Sequence, residues 1–300
     1  MNNRKPKKLK SGASIGVVAP ASPCAKDKTE KYCRMLSSCG YNVVLGESVL
    51  CEYGYLSGKD DVRARDINSM FADKNIHAVF CLRGGYGCGR IVDKLDIELI
   101  AANPKIFLGF SDITVLHSIF NKFAHIITFH GPSVSNCEWG SDDFRYKECM
   151  RVLHGGSCCL QGGATYSLSD CQGEICGGNL TLVESLIGTE YEIDPCGKII
   201  ILEDVGEKNY AIDRKLNHLS QAGYFSECRA VIFGKFTEGD ADIKSENLPL
   251  RRIIEDIVVP CGKPIITDIP FGHIQRNPTI PLGSYASITK NTLYIPPSVI

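Results

Sequence analysis

Ser111 is the side chain in this sequence best placed to act as a nucleophile. It lies in Lys105-Ile-Phe-Leu-Gly-Phe-Ser-Asp-Ile-Thr-Val-Leu-His117, where an apolar run reaches Gly109 and an apolar-periodic stretch follows Asp112. Read as strand, turn and helix, the segment holds a hydroxyl at a sheet edge beside the N–H groups of a helix start. It departs from the usual hydrolase elbow, because Ile113 rather than glycine stands two residues after the serine. The same position suits a plain helix cap, a common use of serine. Which use applies depends on whether the rest of the chain supplies the parts an attacking serine needs.

The first such part is a base, since a protonated hydroxyl attacks poorly. Of the seven histidines, His77, His125, His154 and His218 lie within or beside ordinary elements, and His117 is a helical turn or more beyond Ser111, pointing away from it. His130, in Thr128-Phe-His-Gly-Pro132, ends a strand. His273, in Ile269-Pro-Phe-Gly-His-Ile-Gln-Arg-Asn277, sits in a Gly/Pro-punctuated loop after a strand. Chemistry alone leaves these two equal. A base also needs an orienting carboxylate. Glu203 ends the apolar run Ile199-Ile-Ile-Leu202, where an acid needs an explanation; the bland one is a pair with Arg214 or Lys208. Asp204, next along, points to the opposite face of a continuing strand.

An oxyanion hole is the third part. Arg83-Gly-Gly-Tyr-Gly-Cys-Gly89 offers glycines that expose N–H groups just past a strand. Its spacing is not that of a dinucleotide loop, it is not on the first strand, and no suitable acid follows a second strand. Arg83 adds a charge that fits a substrate carboxylate or an inter-loop salt bridge.

The elements that must position these groups alternate. Strands are predicted over 13–20, 41–45 and 78–82, and helices over Lys26–Ser38, after a Ser57 cap with Asp60 at the third position, and from Arg90. Val62, Ile67, Met70 and Phe71 give the second helix its buried stripe. The expected fold is α/β: a Rossmann-like N-terminal domain with a parallel sheet, whose ligands sit at the carboxyl ends of the strands. After about residue 155 the pattern changes. Residues 156–171, rich in Gly, Ser and Cys, read as a linker with edge strands between domains at 1–155 and 172–300. The smaller C-terminal α/β domain has expected strands at 198–203, 230–234 and 263–268, a helix from Asp213 to Ala222, and a closing hairpin from Ser287 to Ile295.

Bulk properties exclude several classes. A net charge of −1 argues against a nucleic-acid partner. The one basic cluster, Arg4, Lys5, Lys7, Lys8 and Lys10, reads as a short solvated tail. No apolar window reaches the length of a membrane span and no signal peptide is visible, so a cytoplasmic location is expected. The 15 cysteines include no Cys-x-x-Cys and read as small buried apolar residues, with no metal site expected.

Taken in order, the motifs resemble the serine LD-carboxypeptidases (muramoyltetrapeptide carboxypeptidases), a family that includes the microcin C self-immunity peptidases. The resemblance runs nearly the whole chain. It covers Val17-Val-Ala-Pro20, Tyr55-Leu-Ser-Gly with Arg63 and the helix to Phe71-Ala-Asp73, Arg83-Gly-Gly-Tyr-Gly and Gly109-Phe-Ser-Asp112. It continues through His130-Gly-Pro132, Gly177-Gly-Asn-Leu180, Leu202-Glu-Asp204 and Phe271-Gly-His273. It implies Ser111 as nucleophile, His273 as base, Glu203 as its orienting carboxylate, and backbone N–H groups of Gly85 and Asp112 as the oxyanion hole. His130 is then left to shape the site wall, and Arg83, Gly84, Tyr86 and Asn179 join it as candidate substrate contacts. The resemblance further implies an active site in a cleft between two domains, a homodimer, and no cofactor or metal. The implied reaction is hydrolysis of the L,D-amide bond before the terminal D-Ala of murein tetrapeptides in cell-wall recycling. Within the family, peptidyl- or aminoacyl-nucleotides of the microcin C type are the alternative substrates. Outside it, the alternative is a non-catalytic nucleotide-binding α/β protein.

Overall fold

The computed structural model describes residues 3–167, 169–239 and 248–300. Leu168, within the 156–171 stretch, and residues 240–247 lie outside the described residues. The chain divides into two compact units. One comprises Met1–Ser157, Pro278–Gly283 and Pro297–Ile300, and the other Cys158–Asn277 and Ser284–Pro296. The 156–171 stretch therefore falls almost wholly in the second unit, and parts of the 172–300 stretch return to the first.

The first unit alternates β1 (Ser14–Val18), α1 (Lys26–Ser38), β2 (Asn42–Leu45), α2 (Asp60–Ala72), β3 (Ala78–Cys81), α3 (Ile97–Ala102), β4 (Ile106–Gly109), α4 (Thr114–Ile119), β5 (Thr128–His130) and α5 (Phe144–Leu153). β3, β4 and β5 are buried along their full length, as expected of parallel strands covered on both faces. The sheet order is β5-β4-β3-β1-β2, all parallel. The strand Ile280–Leu282 returns from late in the chain and adds antiparallel to β5. The order reverses between β1 and β3, and ligands of doubly wound sheets settle beyond the carboxyl ends of strands at such a switch point. Phe71, Phe107 and Phe120 meet in the core at centroid separations of 4.8–6.2 Å. Each contributes about 2–3 kcal/mol by burial.

Four expectations for this unit change. Ser57 does not cap α2: Lys59 is the flanking residue, and the Ser57 hydroxyl donates to the Ser48 carbonyl at 2.7 Å. Arg63, not Val62, lies on the buried stripe of α2. No α-helix starts at Arg90. Two short 3-10 turns occupy Cys88–Arg90 and Val92–Lys94, and α3 begins only at Ile97, capped by Asp96. The basic tail is not loose. Arg4 bridges to Ile126, and the N–H groups of Lys8 and Leu9 bond the carbonyls of Ile300 and Leu153.

The second unit contains β6 (Cys158–Gln161), β7 (Thr165–Tyr166), β8 (Cys171–Asn179), α6 (Leu180–Ser185), β9 (Ile199–Val205), α7 (Asn209–Gln221), α8 (Tyr224–Glu227), β10 (Ala230–Thr237), α9 (Leu250–Ile257) and β11 (Ile265–Ile266). With β12 as the returning strand of the first unit, β13 (Tyr285–Thr289) and β14 (Thr292–Ile295) complete the set. The sheet order is β6-β14-β13-β8-β9-β10-β11-β7. β8 to β11 run parallel and the outer strands antiparallel, so β6 and β7 are edge strands of this sheet. Leu202, Leu216, Phe225 and Phe233 are among the residues of the core between β9, β10, α7 and α8. Eight of the 15 cysteines are buried, and all are free thiols. Burial pushes those of Cys81 and Cys88 far up, which makes them inert.

Candidate active site

In the first unit, β4 ends at Gly109, where a Cβ would come within 3.0 Å of Cys81 and Ile113 and only glycine fits. The chain then turns sharply, and Ser111 adopts φ +67°. A serine held in the left-handed region stores on the order of 1–3 kcal/mol, which tertiary contacts must offset. Ser111 is not a helix cap. The flanking positions are Phe110 and Ile113, and neither makes a side-chain cap bond. Asp112 follows, buried, and its carboxylate accepts the Cys88 N–H at 2.8 Å. Burial pushes this carboxyl above the usual carboxylate range, against the Cys88 bonds and the Arg63 charge.

The glycine loop after β3 lies directly against this turn. A Cβ on Gly84 would stand 2.8 Å from the Ser111 Cβ and 3.2 Å from the Phe110 carbonyl, so only glycine lets the strands' ends approach this closely. Gly85 has φ +119°, and a Cβ there would strike Ser22 of the loop after β1 at 2.3 Å. Ser22 Oγ accepts the Tyr86 N–H at 3.1 Å, tying together the two loops that flank the switch point. Below them is Arg63, fully buried. It donates to the Gly87 carbonyl at 2.8 Å and to the Pro20 carbonyl, and pairs with Asp60, which also holds Arg90. Arg63 and the Asp112 carboxylate together clamp the loop in one conformation. Because Asp112 and Ser22 already take the Cys88 and Tyr86 N–H groups, a phosphate cradle would have to displace them.

In the second unit, Glu203 is the fifth residue of β9 and has no exposed surface. Its Oε2 lies 2.8 Å from Nδ1 of His273, whose side chain is 19% exposed. Pairs with Arg214 or Lys208 are not what occupies it. Burial pushes the Glu203 carboxyl up, with the His273 bond the largest opposing effect. Burial works against charge on His273, but the Glu203 bond and charge outweigh it and hold the imidazole above its usual range. Gly272, at φ +114°, brings its backbone over Glu203. A Cβ there would meet Oε2 at 2.7 Å, and its N–H is fixed by buried Asn277 at 3.0 Å. Asp204 faces the other way, accepting from Asn179 Nδ2 at 2.8 Å and from the Thr181 N–H and hydroxyl at the start of α6.

Not every expected residue reaches a surface. His130 and Asn179 are 0% and 3% exposed, so neither forms part of an accessible wall. His130 stacks edge-on against Phe110 under the Ser111 turn, and Asn179 caps α6. His117 points back to the turn rather than away, its Nε2 2.9 Å from the Gly109 carbonyl, and burial lowers it to about 4. Arg83 forms no salt bridge among the described residues; it is exposed and donates to the Pro23 carbonyl at 3.0 Å. Tyr86 is exposed and meets Tyr55 edge-on at 5.7 Å. Sequence reasoning missed the roles of Ser22, Arg63 and Gly272. Arg63 left one signal, a cation at an apolar helical spacing with Ile67 and Met70. No group of three His, Cys, Asp or Glu able to hold a metal occurs among the described residues.

A family model described as the LD-carboxypeptidase N-terminal domain matches residues 15–131. The model of the LD-carboxypeptidase C-terminal domain matches residues 172–288. The chain belongs to the LD-carboxypeptidase family. Membership makes it a hydrolase, a serine-type LD-carboxypeptidase. It is 35% identical to a probable murein peptide carboxypeptidase of Bacillus subtilis (strain 168), over 95% of this chain and 92% of that one. It is 33% identical to the murein tetrapeptide carboxypeptidase of Pseudomonas aeruginosa, over 93% of this chain and 94% of that one. Among solved structures, the muramoyltetrapeptide carboxypeptidase of Oxalobacter formigenes superposes with a TM-score of 0.87 at 24% identity, covering 96% of this chain and 100% of that one. The microcin C7 self-immunity protein MccF also gives 0.87, at 20% identity and 99% coverage of both chains. At these identities the structural likeness establishes the fold. No helix among the described residues is long and apolar enough to cross a membrane.

Proposed function

We propose that this LD-carboxypeptidase removes the terminal D-alanine from murein tetrapeptides, with Ser111 as nucleophile, His273 as base and Glu203 as its orienting carboxylate. The observation that carries the reading is the 2.8 Å bond from a fully buried Glu203 to His273, an arrangement a merely structural histidine does not need. The names of the Bacillus and Pseudomonas relatives support the substrate class. With Nδ1 engaged by Glu203, Nε2 is the nitrogen that takes the Ser111 proton as Oγ attacks the L,D-amide carbonyl. The N–H groups of Gly85 and Asp112 receive the oxyanion, held ready by the Arg63 and Asp112 clamp. His273 then gives its proton to the departing D-alanine amine. Water, deprotonated by the same nitrogen, releases the tripeptide from Ser111. A guanidinium carries five donors, so Arg83 keeps capacity for the terminal carboxylate beside its bond to Pro23. Eight buried thiols suit a reducing cytoplasm, and a homodimer follows from the family resemblance.

Side-by-side rates on an L,D-linked tetrapeptide, its D,D-linked counterpart and a microcin-type aminoacyl-adenylate test the substrate. The expected result is preference for the L,D-tetrapeptide by at least tenfold in kcat/KM, equivalent to about 1.4 kcal/mol. Faster cleavage of the adenylate would assign the alternative substrate class to the same residues.

Arg63→Met should expose the clamp. Leaving the Gly87 and Pro20 carbonyls without their buried partner costs about 3 kcal/mol in denaturant unfolding. It should also lower kcat about tenfold or more with KM little changed, since the loop serves the transition state. Arg63→Lys should recover part of kcat. Equal kcat in Arg63→Met and the native enzyme would show that the clamp does not position the loop.

A further inference from the structure

We propose that the first unit carries a second binding site, for a compact phosphate-bearing anion, at the amino ends of its strands. A cavity of about 440 Å³ opens there, within the size range of small-ligand sites, and Lys5, Lys7, Lys8, Lys74, Lys105 and His77 line it. Lys105 immediately precedes β4 and His77 immediately precedes β3. Ser111 and the glycine loop follow the carboxyl ends of those same strands. The two sites are thus separated by the length of a four-residue strand, roughly 13 Å.

The charge balance is the anomaly. No Asp or Glu side chain lines the cavity among the described residues. Among the described residues none of the five lysines forms an ion pair, although the chain carries 34 acidic residues against 33 basic ones. Even against the Asp73 charge that acts on Lys105, the five lysines leave a positive excess. Such a cluster repels itself unless an anion screens it.

The site is also built rather than incidental. The backbone of the basic tail is tied down by the Arg4, Lys8, Leu9 and Ile300 bonds, which fixes the backbone positions from which Lys5, Lys7 and Lys8 project. Lys5 Nζ is anchored on the Pro297 carbonyl at 2.7 Å. Lys105 is 8% exposed, its Nζ anchored on the Met70 carbonyl at 2.8 Å and on the Asp73 carbonyl. Burial holds Lys105 down to about 8, with the Asp73 charge opposing, and an entering anion would raise it. Lys7, Lys8 and Lys74 are exposed and supply ammonium groups, the usual point-charge partners of phosphate. Ile76, Ala102 and Pro104 also line the cavity and give it apolar surface, the kind a nucleoside contacts and an inorganic oligophosphate does not need.

The test is thermal unfolding of the full chain at low salt, titrated separately with sodium tripolyphosphate and with ADP. The expected result is a saturable rise in Tm with at least one of them. Apparent affinity should weaken by about tenfold or more in about 0.5 M salt. It should weaken at least as much in Lys7→Glu/Lys8→Glu/Lys74→Glu, with peptide hydrolysis unaffected. A larger effect from ADP identifies a nucleoside phosphate, and a larger one from tripolyphosphate an inorganic or polymeric source. Should the charge-reversed variant have a lowered Tm without ligand, the Gln triple variant replaces it. No saturable shift with either probe, or an equal shift in the variant that keeps its native Tm, would overturn the proposal.

Discussion

Ser111→Ala is expected to abolish hydrolysis of the L,D-tetrapeptide, lowering kcat about 10⁴-fold or more while the fold persists. The size follows from how nucleophile, base and oxyanion donors act as one unit in serine hydrolases, where removing the nucleophile forfeits nearly all of their joint effect. The fold should persist because the substitution deletes one oxygen and leaves the backbone unchanged. Ser111 already sits at φ +67°, and alanine inherits that strain rather than adding to it. Ser111→Gly separates the two properties. Glycine adopts positive φ without penalty, so this variant should be equally inactive yet more stable by about 1 kcal/mol in denaturant unfolding. A gain in stability together with loss of activity would mean that the turn is strained for the sake of the hydroxyl. Undiminished hydrolysis by Ser111→Ala would overturn the nucleophile assignment.

Glu203→Gln should be nearly as damaging and should move the pH profile. The base must be neutral to accept a proton, so activity falls as pH drops through the His273 pKa. Burial opposes charge on that ring, but the Glu203 bond and charge hold it above the ordinary value of about 6.5. The acidic limb of kcat/KM in the native enzyme should therefore lie above about pH 6.5. In Glu203→Gln the Glu203 bond and charge vanish, leaving burial opposed only by the Asp204 and Glu238 charges, so the limb should shift to lower pH. The plateau should fall by about 10³–10⁴, because an amide no longer selects the productive tautomer or stabilises the imidazolium. The profile distinguishes this from a packing defect, which would lower the plateau without moving the limb. An unmoved limb would remove Glu203 from the role of orienting carboxylate.

Much of this protein was legible in its sequence, for local reasons. Short apolar runs at 15–18, 78–82 and 106–108, bounded by turn residues, read as buried strands, and their alternation with helices points to a parallel sheet with helices packed on it. An acid at the end of the apolar run Ile199-Ile-Ile-Leu202 marks a position whose burial demands a reason, and the histidine after Phe271-Gly sits in a Gly/Pro-punctuated loop where catalytic residues are often placed. The short motifs in their order carried the family. The misreadings were places where tertiary contacts overrode a local preference. Ser57 has the spacing of a cap, but the Ser48 carbonyl takes its hydroxyl. Arg90 begins no α-helix; it closes a 3-10 turn in which Asp60 holds its guanidinium and Asp112 the Cys88 N–H. The lysine-rich tail is straight and polar enough to look loose, and only its pairing with Ile126, Leu153 and Ile300 shows it to be strapped down.

The sequence by itself determined the composition of the candidate site: a serine after a strand, a glycine loop, an acid closing a strand and two histidines that chemistry could not rank. Which side chains meet was decided by the tertiary structure, because contacts between residues about 20 to 70 positions apart leave no periodicity to read. The structure brought Glu203 to His273 and buried His130 beneath Phe110. It turned Asp204 toward α6, and it put the Arg63 cation under the glycine loop, where a guanidinium with carbonyl partners can be buried at tolerable cost. Ser111 itself shows the division most plainly. Its type and spacing were visible at once, but its left-handed backbone and the close approach of Gly84 to its side chain belong to the folded chain alone.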